Sequence, residues 1–356
     1  MGSSLGDARM TIKVFQWASG TVGRNAMTAV NERDGLELIG LHVLSPDKAG
    51  RDAGEIAGIG KLDIAATNDP QTVLDSGADL VIHAPLASLV YGDDPEADVE
   101  DICALLAAGI NVITVVGYMY PKAHGPELVE RLEAACARGG STFHSTGLNP
   151  GWMGDLLPLL MSTLSRRIDR IVVQEISNFQ FYPSPEIMFD SMGFGQDPAV
   201  FTATGERRRH WLNGLFRENI QLVADGIGLE LDDVSEEMSM ELAPTDLETA
   251  AGVVRQGTVA GQRWEWAGET NGDKRIIHET VWRMHDSVAP DWPTGNHSIT
   301  IEGSPRMSLE LEPTWIDDGL AATAMHAVNA IPAVCAADPG IKTFLDLPWL
   351  LGGATT

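Results

Sequence analysis

Apolar residues in the first part of the chain come in short runs separated by amphipathic stretches. Thr11 to Trp17 is a β-rich run that ends in a glycine turn, and Arg24 to Asn31 has helical composition. Leu36 to Leu44, LELIGLHVL, reads as a second strand. Further short strands are predicted near Asp63 to Ala66, Asp79 to Ala84, Asn111 to Val115 and Ser141 to His144. Two of the intervening helices have readable ends. In DPEADVEDICALLAAG, Val99, Ile102, Leu105 and Leu106 share one face, acids crowd the first turn, and Gly109 suits the C-terminal cap. In GPELVERLEAACARGG, Pro126 takes a first-turn position and Gly139-Gly140 ends the helix. Strands and helices alternating at this interval predict a parallel sheet with helices on both faces over residues 10–154.

After about Asp155 the pattern changes. Longer alternating runs occupy Arg170 to Ile176, Gly257 to Trp266 and Lys274 to Met284, followed by His297 to Glu302 and Met307 to Glu312, split by Gly303-Ser-Pro. They predict a mostly antiparallel sheet with some helix, a second α+β domain over residues 155–318. Phe181 to Pro198, rich in Pro, Gly and aromatics, is a candidate lid or a packed surface loop. Leu320 to Cys335 is a final apolar helix within a C-terminal segment, 319–356, and the polar stretch 1–9, MGSSLGDAR, is expected to be a disordered leader. A chain of 356 residues is long for one core, which agrees with two domains.

Charge narrows the partners. Twenty-four basic against fifty acidic residues give a net charge of −26, a field that repels phosphate backbones and anionic lipid. Nucleic acid and membrane surfaces are therefore poor partners, and a small molecule is the expected one. No apolar run is expected to reach the ~18 residues of a membrane span and the start carries no basic-then-apolar signal peptide, so the cytoplasm is the expected location. Cys103, Cys136 and Cys335 are odd in number and widely spaced, which suggests neither a disulfide framework nor a metal site.

The most informative stretch is VFQWASGTVGRNAM. A strand ends at Trp17, Gly20 and Gly23 frame a turn, and a helix is expected from about Val22 or Gly23. Such a turn lets backbone approach a pyrophosphate while the helix N-terminus stabilises its charge, the Rossmann arrangement. The motif is Ala18-x-Gly20-x-x-Gly23, so Ala18, Ser19, Gly20, Thr21, Val22 and Gly23 are candidate cofactor residues, and Ala18 is expected to keep a negative φ. At the end of the second strand, Ser45, Lys48 and Arg51 favour a 2′-phosphate and hence NADP(H), whereas Asp47 keeps NAD(H) open. Lys48 alone would be equally at home in a solvated turn.

NVITVVGYMYPKAHG, Asn111 to Gly125, places two of the four tyrosines at the end of a strand, where open α/β sheets bind ligands. A Tyr118 or Tyr120 acid assisted by Lys122 would suit a carbonyl-reductase step, because a close ammonium favours phenolate. If the strand continued, the two rings would share a side, and either could simply pack; His124 needs no special role. Glu175, on an alternating strand, is a candidate base if it faces the cleft. His83 is expected to be buried and bonded to backbone. The run Arg207 to His210 reads as a charged helix face or a carboxylate site. Trp264, Trp266, Trp282 and Trp292 suggest a pocket wall or a dimer core.

IKVFQWASGTVGR, LHVLSPDKAGRDAGE, STGLNPGWMGDLLPL and ATAMHAVNAIPAVCAADPGIKTFLDLP together resemble the bacterial proteins related to dihydrodipicolinate reductase in the N-terminal domain and to 2,4-diaminopentanoate dehydrogenase throughout. That group includes the native NAD(P)-dependent amine dehydrogenases. The resemblance implies an α/β fold with a Rossmann-type doubly wound sheet, a dimerising second domain that covers the substrate, and a last helix packed back on the first domain. It implies that Asn149 lies beside the nicotinamide, that Ala84 and Pro85 line the cofactor cleft, and that the Gly117 loop approaches the cofactor. The amine-forming members carry a glutamate that falls at Gly117 or Tyr118 here, so the expected carboxylate is missing. The reading is an NAD(P)-dependent oxidoreductase acting on a C=N or C=O centre of a small, fairly apolar substrate. Its alternatives are a carbonyl reductase using Tyr118 or Tyr120, a redox-neutral lyase with bound nicotinamide, or a nucleotide-sensing protein.

Overall fold

A computed structural model describes residues 11–312 and 318–353. β1 (Ile12–Trp17), β2 (Leu36–His42), β3 (Leu80–His83), β4 (Asn111–Thr114) and β5 (Thr142–Ser145) form a parallel sheet in the order β2-β1-β3-β4-β5. Their apolar residues are buried on both faces, because helices cover both. Those helices are α1 (Thr21–Glu32), α2 (Ala53–Ala57), α3 (Pro70–Leu74), α4 (Ser88–Tyr91), α5 (Ala97–Ala107) and α6 (Pro126–Gly139). The strand order reverses between β1 and β3, which opens a crevice at their carboxyl ends.

One expected strand is absent. Asp63 to Ala66 makes only an isolated bridge, Asp52 to Ala65, because the Asp52 carboxylate accepts the amides of Leu62 and Ile64 as well as those of Gly54 and Glu55. The strands expected fourth and fifth are therefore β3 and β4.

The second half begins with α7 (Leu156–Ser162) and β6 (Arg167–Asn178). After a loop come α8 (Pro198–Thr204) and the 22-residue α9 (Glu206–Ile227), then β7 (Asp233–Leu242) and a small hairpin of β8 (Leu247–Thr249) and β9 (Gly252–Val254). β10 (Val259–Thr270), β11 (Asp273–Arg283), β12 (Ser298–Ser304) and β13 (Met307–Glu310) complete a six-stranded sheet in the order β13-β12-β6-β11-β10-β7. Only the β6/β11 pair is parallel among its pairings. β7 escapes the sequence reading because its acids mask the alternation of Val234, Met238 and Met240.

α9 lays Leu212, Phe216, Ile220 and Val223 on this sheet, at helical spacing. Phe216 stacks on Trp266 at 4.0 Å, and Trp264 and Trp266 stack at 5.5 Å. These two tryptophans thus belong to the core of a single chain and not to a pocket wall or dimer core. The loop from Phe181 to Pro198 is ordered by Met188 and Phe194, which bury in the same core.

α10 (Gly319–Ala336) returns to the first sheet. Its Ala324, Ala327, Val328, Ile331 and Val334 join Ala26, Met27 and Val30 of α1 in one cluster, and β14 (Gly340–Ile341) then pairs with β5. At 18 residues α10 is long and apolar enough to cross a membrane, which corrects the expectation that no such run exists. Its apolarity is explained by burial against α1.

His42, His83, His144, His278 and His326 are held neutral by burial, with pKa values lowered to about 4, 3, 4, 3 and 4. Below the unfolded value of ~6.5 the unfolded chain binds protons that these folded rings refuse, so stability present above ~6.5 is lost as pH falls toward 4. Burial raises Asp155 to about 7, Asp101 to about 6 and Asp98 above its usual range, and Glu218 outweighs burial to raise His124, so four groups oppose the trend against five. Thermal melts should show Tm falling from pH 7 to pH 5, with a shallower fall in His278→Asn. A Tm that is flat or rising over that range contradicts this account.

Candidate active site

The glycine turn between β1 and α1 is built for close approach. α1 starts at Thr21, earlier than expected, and Gly20 at its N-cap has no side-chain cap. A Cβ on Gly20 would meet nothing within 4 Å, whereas one on Gly23 would sit 2.2 Å from the Ala18 carbonyl. Gly23 therefore permits the tight packing and Gly20 leaves the helix N-terminus open. Ala18 departs from expectation, with φ +74. A left-handed alanine costs about 1–2 kcal/mol. The Ala18 amide donates to His42 O at 2.9 Å and its carbonyl accepts from Gln16 Nε2 at 3.1 Å, which hold it there. Val22 packs into the first core.

The rim of this turn meets the end of β2. Lys48 Nζ donates to Ser19 Oγ at 3.2 Å, and the Ser45 hydroxyl donates to the Asp47 carboxylate. That bond from Ser45 is the main cause holding the Asp47 carboxyl below its usual range. Arg51 lies exposed beyond them. Across the crevice, the Ala84 amide extends the ladder to Trp17 O at 3.0 Å, and Pro85 follows.

Trp17, His42, His83, Thr114 and Ser145 stand in register across the sheet's last row. His83 Nδ1 bonds Thr114 Oγ1 at 2.9 Å, not backbone as expected. Among the described residues, Trp17 Nε1 and His83 Nε2 are buried with no hydrogen-bond partner, and Asp98 Oδ1 lies 3.8 Å from His83 Nε2.

The tyrosine loop differs most from its sequence reading. β4 stops at Thr114, and Gly117 and Tyr118 take φ of +129 and +68, so the two tyrosines do not share a strand face. The loop wraps a carboxylate from α9. Glu218, 1% exposed, accepts the amides of Tyr118 at 3.0 Å and Tyr120 at 2.9 Å and pairs with His124 Nε2. Burial opposes charge on His124, but the bond and field of Glu218 outweigh it and raise its pKa. The Tyr118 ring packs into the α5/α6 core and lies 5.5 Å from His124.

Tyr120 and Lys122 are likewise drawn to α9, where both donate to the Asp225 carboxylate. Burial, then the neighbouring carboxylates, raise both phenol pKa values. The expected phenolate assisted by Lys122 is thus replaced by a phenol held protonated by Asp225.

Glu175 is joined to Asn149 and Trp282. Asn149 Nδ2 donates to Glu175 Oε2 at 2.5 Å and contacts His278 Nε2 at 3.3 Å, while Trp282 Nε1 donates to Glu175 Oε1 at 2.7 Å. An amide nitrogen only donates, so His278 Nε2 accepts and the neutral ring donates from Nδ1 to Asn219 Oδ1, 3.2 Å away. The network fixes the rotamer of Asn149 and the orientation of a carboxylate that is 9% exposed. Among the described residues, Asn149 Oδ1 has no hydrogen-bond partner. A Cβ on Gly154 would lie 2.4 Å from Asn219 Nδ2 and 2.8 Å from Asn149 Oδ1, so only glycine fits there.

The structure thus brings Ser19, Ser45 and Lys48 together at one end of the crevice, and Asn149 and Glu175 together at the other. It ties Tyr118, Tyr120 and Lys122 to α9. Sequence reading missed Glu218, Asn219, Asp225 and His278. The available signal was a polar residue at three- to seven-residue intervals within the apolar helix NGLFRENIQLVADG.

An open helix N-terminus at the switch point of a parallel sheet, facing a polar cleft walled by a second sheet, defines a two-domain dehydrogenase architecture. A family model described as 2,4-diaminopentanoate dehydrogenase C-terminal domain matches residues 152–352, and one described as dihydrodipicolinate reductase N-terminus matches residues 15–91. An amine dehydrogenase of Streptomyces virginiae is 32% identical, with 95% of this chain and 96% of that protein covered. The 2,4-diaminopentanoate dehydrogenase of Acetoanaerobium sticklandii is 25% identical, with 95% and 93% covered. The solved amine dehydrogenase of Mycobacterium smegmatis shares the fold with a TM-score of 0.79, 24% identity, and 96% and 97% of the two chains covered. The chain belongs to the 2,4-diaminopentanoate dehydrogenase family and is a dehydrogenase.

Removing the carboxylate under the loop should be costly. Glu218→Ala strands two buried amides and His124, at about 1–3 kcal/mol for each unsatisfied group. Urea unfolding should show a loss of about 3 kcal/mol or more, against under ~1 kcal/mol for breaking the exposed Arg170–Glu302 pair with Arg170→Ala. Equal losses in the two variants would refute the role given to Glu218.

Proposed function

We propose that the protein is an NAD(P)-dependent amine dehydrogenase that interconverts a carbonyl compound and its amine, with Glu175 standing in for the loop glutamate expected at Gly117 or Tyr118. The observation that carries this reading is the Glu175–Asn149 hydrogen bond at the cleft end of β6. The residues present fit a dinucleotide: Gly20 leaves room for a pyrophosphate at an uncapped helix, and Gly23 lets the turn close beneath it. Ala18 to Gly23, Ala84, Pro85 and the Gly117 loop would line the dinucleotide, and Asn149 would meet the nicotinamide. When bound, the nicotinamide supplies or accepts the hydride.

The chain's own groups handle position and protons. Glu175 Oε2 takes a proton from ammonium, which frees ammonia to attack the carbonyl carbon; one proton of the added nitrogen passes to the carbonyl oxygen, and Glu175 returns its own to that oxygen, which leaves as water. Carbonyl compound, ammonium and NAD(P)H thus become amine, NAD(P)+ and water, with atoms and charge balanced. Asn149, its rotamer set by His278, holds the carboxylate toward the reacting carbon. The carbonyl-reductase alternative loses its basis, since Tyr120 is engaged by Asp225 and Tyr118 packs into a core.

Ser19, Ser45, Lys48 and Arg51 support NADP(H) over NAD(H), because the lysine ammonium already sits at the turn beside Ser19. Residues 10–154 would hold the nucleotide and 155–318 the substrate. The face of the second sheet opposite α9 carries the partly exposed Val172, Ile176 and Ile277, which supports a homodimer formed through that face. A cytoplasmic location suits nicotinamide chemistry.

With a small ketone, oxidation of NADPH should require ammonium. Glu175→Gln should lower kcat/KM for amination at least ~100-fold while the dissociation constant for NADPH stays within about twofold. Ammonium-independent oxidation, or a fully active Glu175→Gln, would count against the proposal. Separately, Lys48→Ala should raise KM for NADPH about tenfold and leave KM for NADH unchanged, consistent with the loss of about 1.4 kcal/mol from one charge-assisted bond. A larger effect on NADH would reverse the cofactor assignment.

A further inference from the structure

Arg207, Trp211, Gly214, Glu218 and Asp225 recur along α9 at intervals of 4, 3, 4 and 7 residues, so at ~100° per residue they stay within about 40° of one stripe. Each meets a loop at the carboxyl end of the first sheet. Trp211 Nε1 donates to Val116 O at 3.4 Å, and a Cβ on Gly214 would lie 3.1 Å from His124 Cε1. Glu218 takes the amides of Tyr118 and Tyr120, and Asp225 accepts from the side chains of Tyr120 and Lys122. Four of the five therefore serve the loop after β4. Arg207 serves the loop after β3: its Nε donates to Leu89 O at 2.8 Å, and its Nη2 to Ser88 O at 3.1 Å and Gly92 O at 2.9 Å.

The element that Arg207 holds cannot hold itself. α4 is a single turn, Ser88–Tyr91, too short to persist on its own bonds, and its last carbonyls have no partner further along a helix. Its first turn is fixed from α5, where Asp98 Oδ2 accepts the Ser88 amide at 2.6 Å and the Asp98 amide donates to Ser88 Oγ at 3.1 Å. Its last turn is fixed by the guanidinium, whose charge suits the negative end of a helix and whose planar fork meets several carbonyls at once. The chain turns back sharply there, since a Cβ on Gly92 would lie 2.9 Å from both Asp94 O and Ser88 O. α4 thus hangs between a helix of the first sheet and a helix of the second.

This matters because of where α4 stands. The crevice at the reversal of strand order has two lips, the glycine turn after β1 and the run Ala84 to Ala87 that leads from β3 into α4. The first lip is held within the first domain, by the bonds of Ala18 to His42 and Gln16 and of Ser19 to Lys48. The second lip is tied to α9. A dinucleotide with its pyrophosphate at the start of α1 and its adenosine end toward Lys48 would cross to the second lip with its nicotinamide half.

We propose that Arg207 is a positioning residue for the nicotinamide half of the dinucleotide: by holding α4 it seats the Ala84 to Ala87 lip, although it touches neither cofactor nor substrate. The adenosine half then binds independently of Arg207, and the two halves of one ligand are served by different parts of the molecule. The proposal rests on the NAD(P)-dependent reading, though not on which carbonyl compound or amine is turned over.

Calorimetric titration of the full chain with NADPH, NADH and ADP tests it, because ADP carries the adenosine end and the pyrophosphate without the nicotinamide half. For whichever dinucleotide the native chain binds, Arg207→Gln should raise Kd at least about tenfold while Kd for ADP stays within about twofold, as expected for loss of charge-assisted bonds that act on one half alone. Arg207→Lys, which keeps the charge but not the fork, should fall between. Hydrogen exchange of the native protein gives a readout that stands even if the variants fail to fold. The bound dinucleotide should slow exchange at the amides of residues 90–92, which close α4, and ADP should leave them unchanged. Equal weakening of dinucleotide and ADP in Arg207→Gln marks a merely structural role and overturns the proposal, as does an unchanged Kd for both, or equal protection of residues 90–92 by the two ligands. If the native chain binds neither NADPH nor NADH, the dinucleotide reading itself fails and takes the proposal with it; if it binds one of them and Arg207→Gln binds it equally well, the role of Arg207 alone fails.

Discussion

Glu218 sits where two halves of the molecule meet, with almost no access to water, and each of its oxygens receives an amide from a loop that is about a hundred residues away in sequence. Removing a carboxylate from water is tolerated only when hydrogen bonds replace its hydration. The two loop amides and His124 do so, and in return the loop is forced into left-handed backbone at Gly117 and Tyr118. The shape of the crevice floor follows from this exchange. α9 is thereby fixed on one side to the first sheet's loops and on the other to the tryptophan-rich second sheet.

Most of the fold was legible because its signals are local. Short apolar strands with glycine turns, the caps of α5 and α6, and the glycine pattern at α1 depend on neighbours a few residues away. Failures have non-local causes. The strand near Asp63 was lost to the Asp52 side chain, which supplies acceptors that a ladder would otherwise provide. Ala18 enters a region that glycine usually holds, because bonds to His42 and Gln16 compensate.

The site divides in the same way. Asn149, Ser19 and Lys48 were singled out from motif position and Glu175 from strand alternation, and the structure pairs Asn149 with Glu175 and Ser19 with Lys48. The partners of Tyr118, Tyr120 and Lys122 were missed because the acceptors that claim them, Glu218 and Asp225, lie on a helix no spacing rule connects to the loop. The arginine run was equally opaque: Arg207 clamps the carbonyls of Ser88, Leu89 and Gly92, Arg209 pairs with Glu236, Arg208 is buried against Phe201, and only packing distinguishes them.

The return of α10 to α1 means that the second sheet is carried as an insert within the first domain, which both starts and finishes the chain. An insert joined at two points cannot swing freely as a tethered lobe can; it is confined to rotation about the line through its two connections. Closure over a bound molecule would then change the gap at the crevice mouth far more than at Asn149, which lies beside one of those connections. The reacting end of the cleft would stay nearly constant in geometry while the crevice mouth opens and shuts.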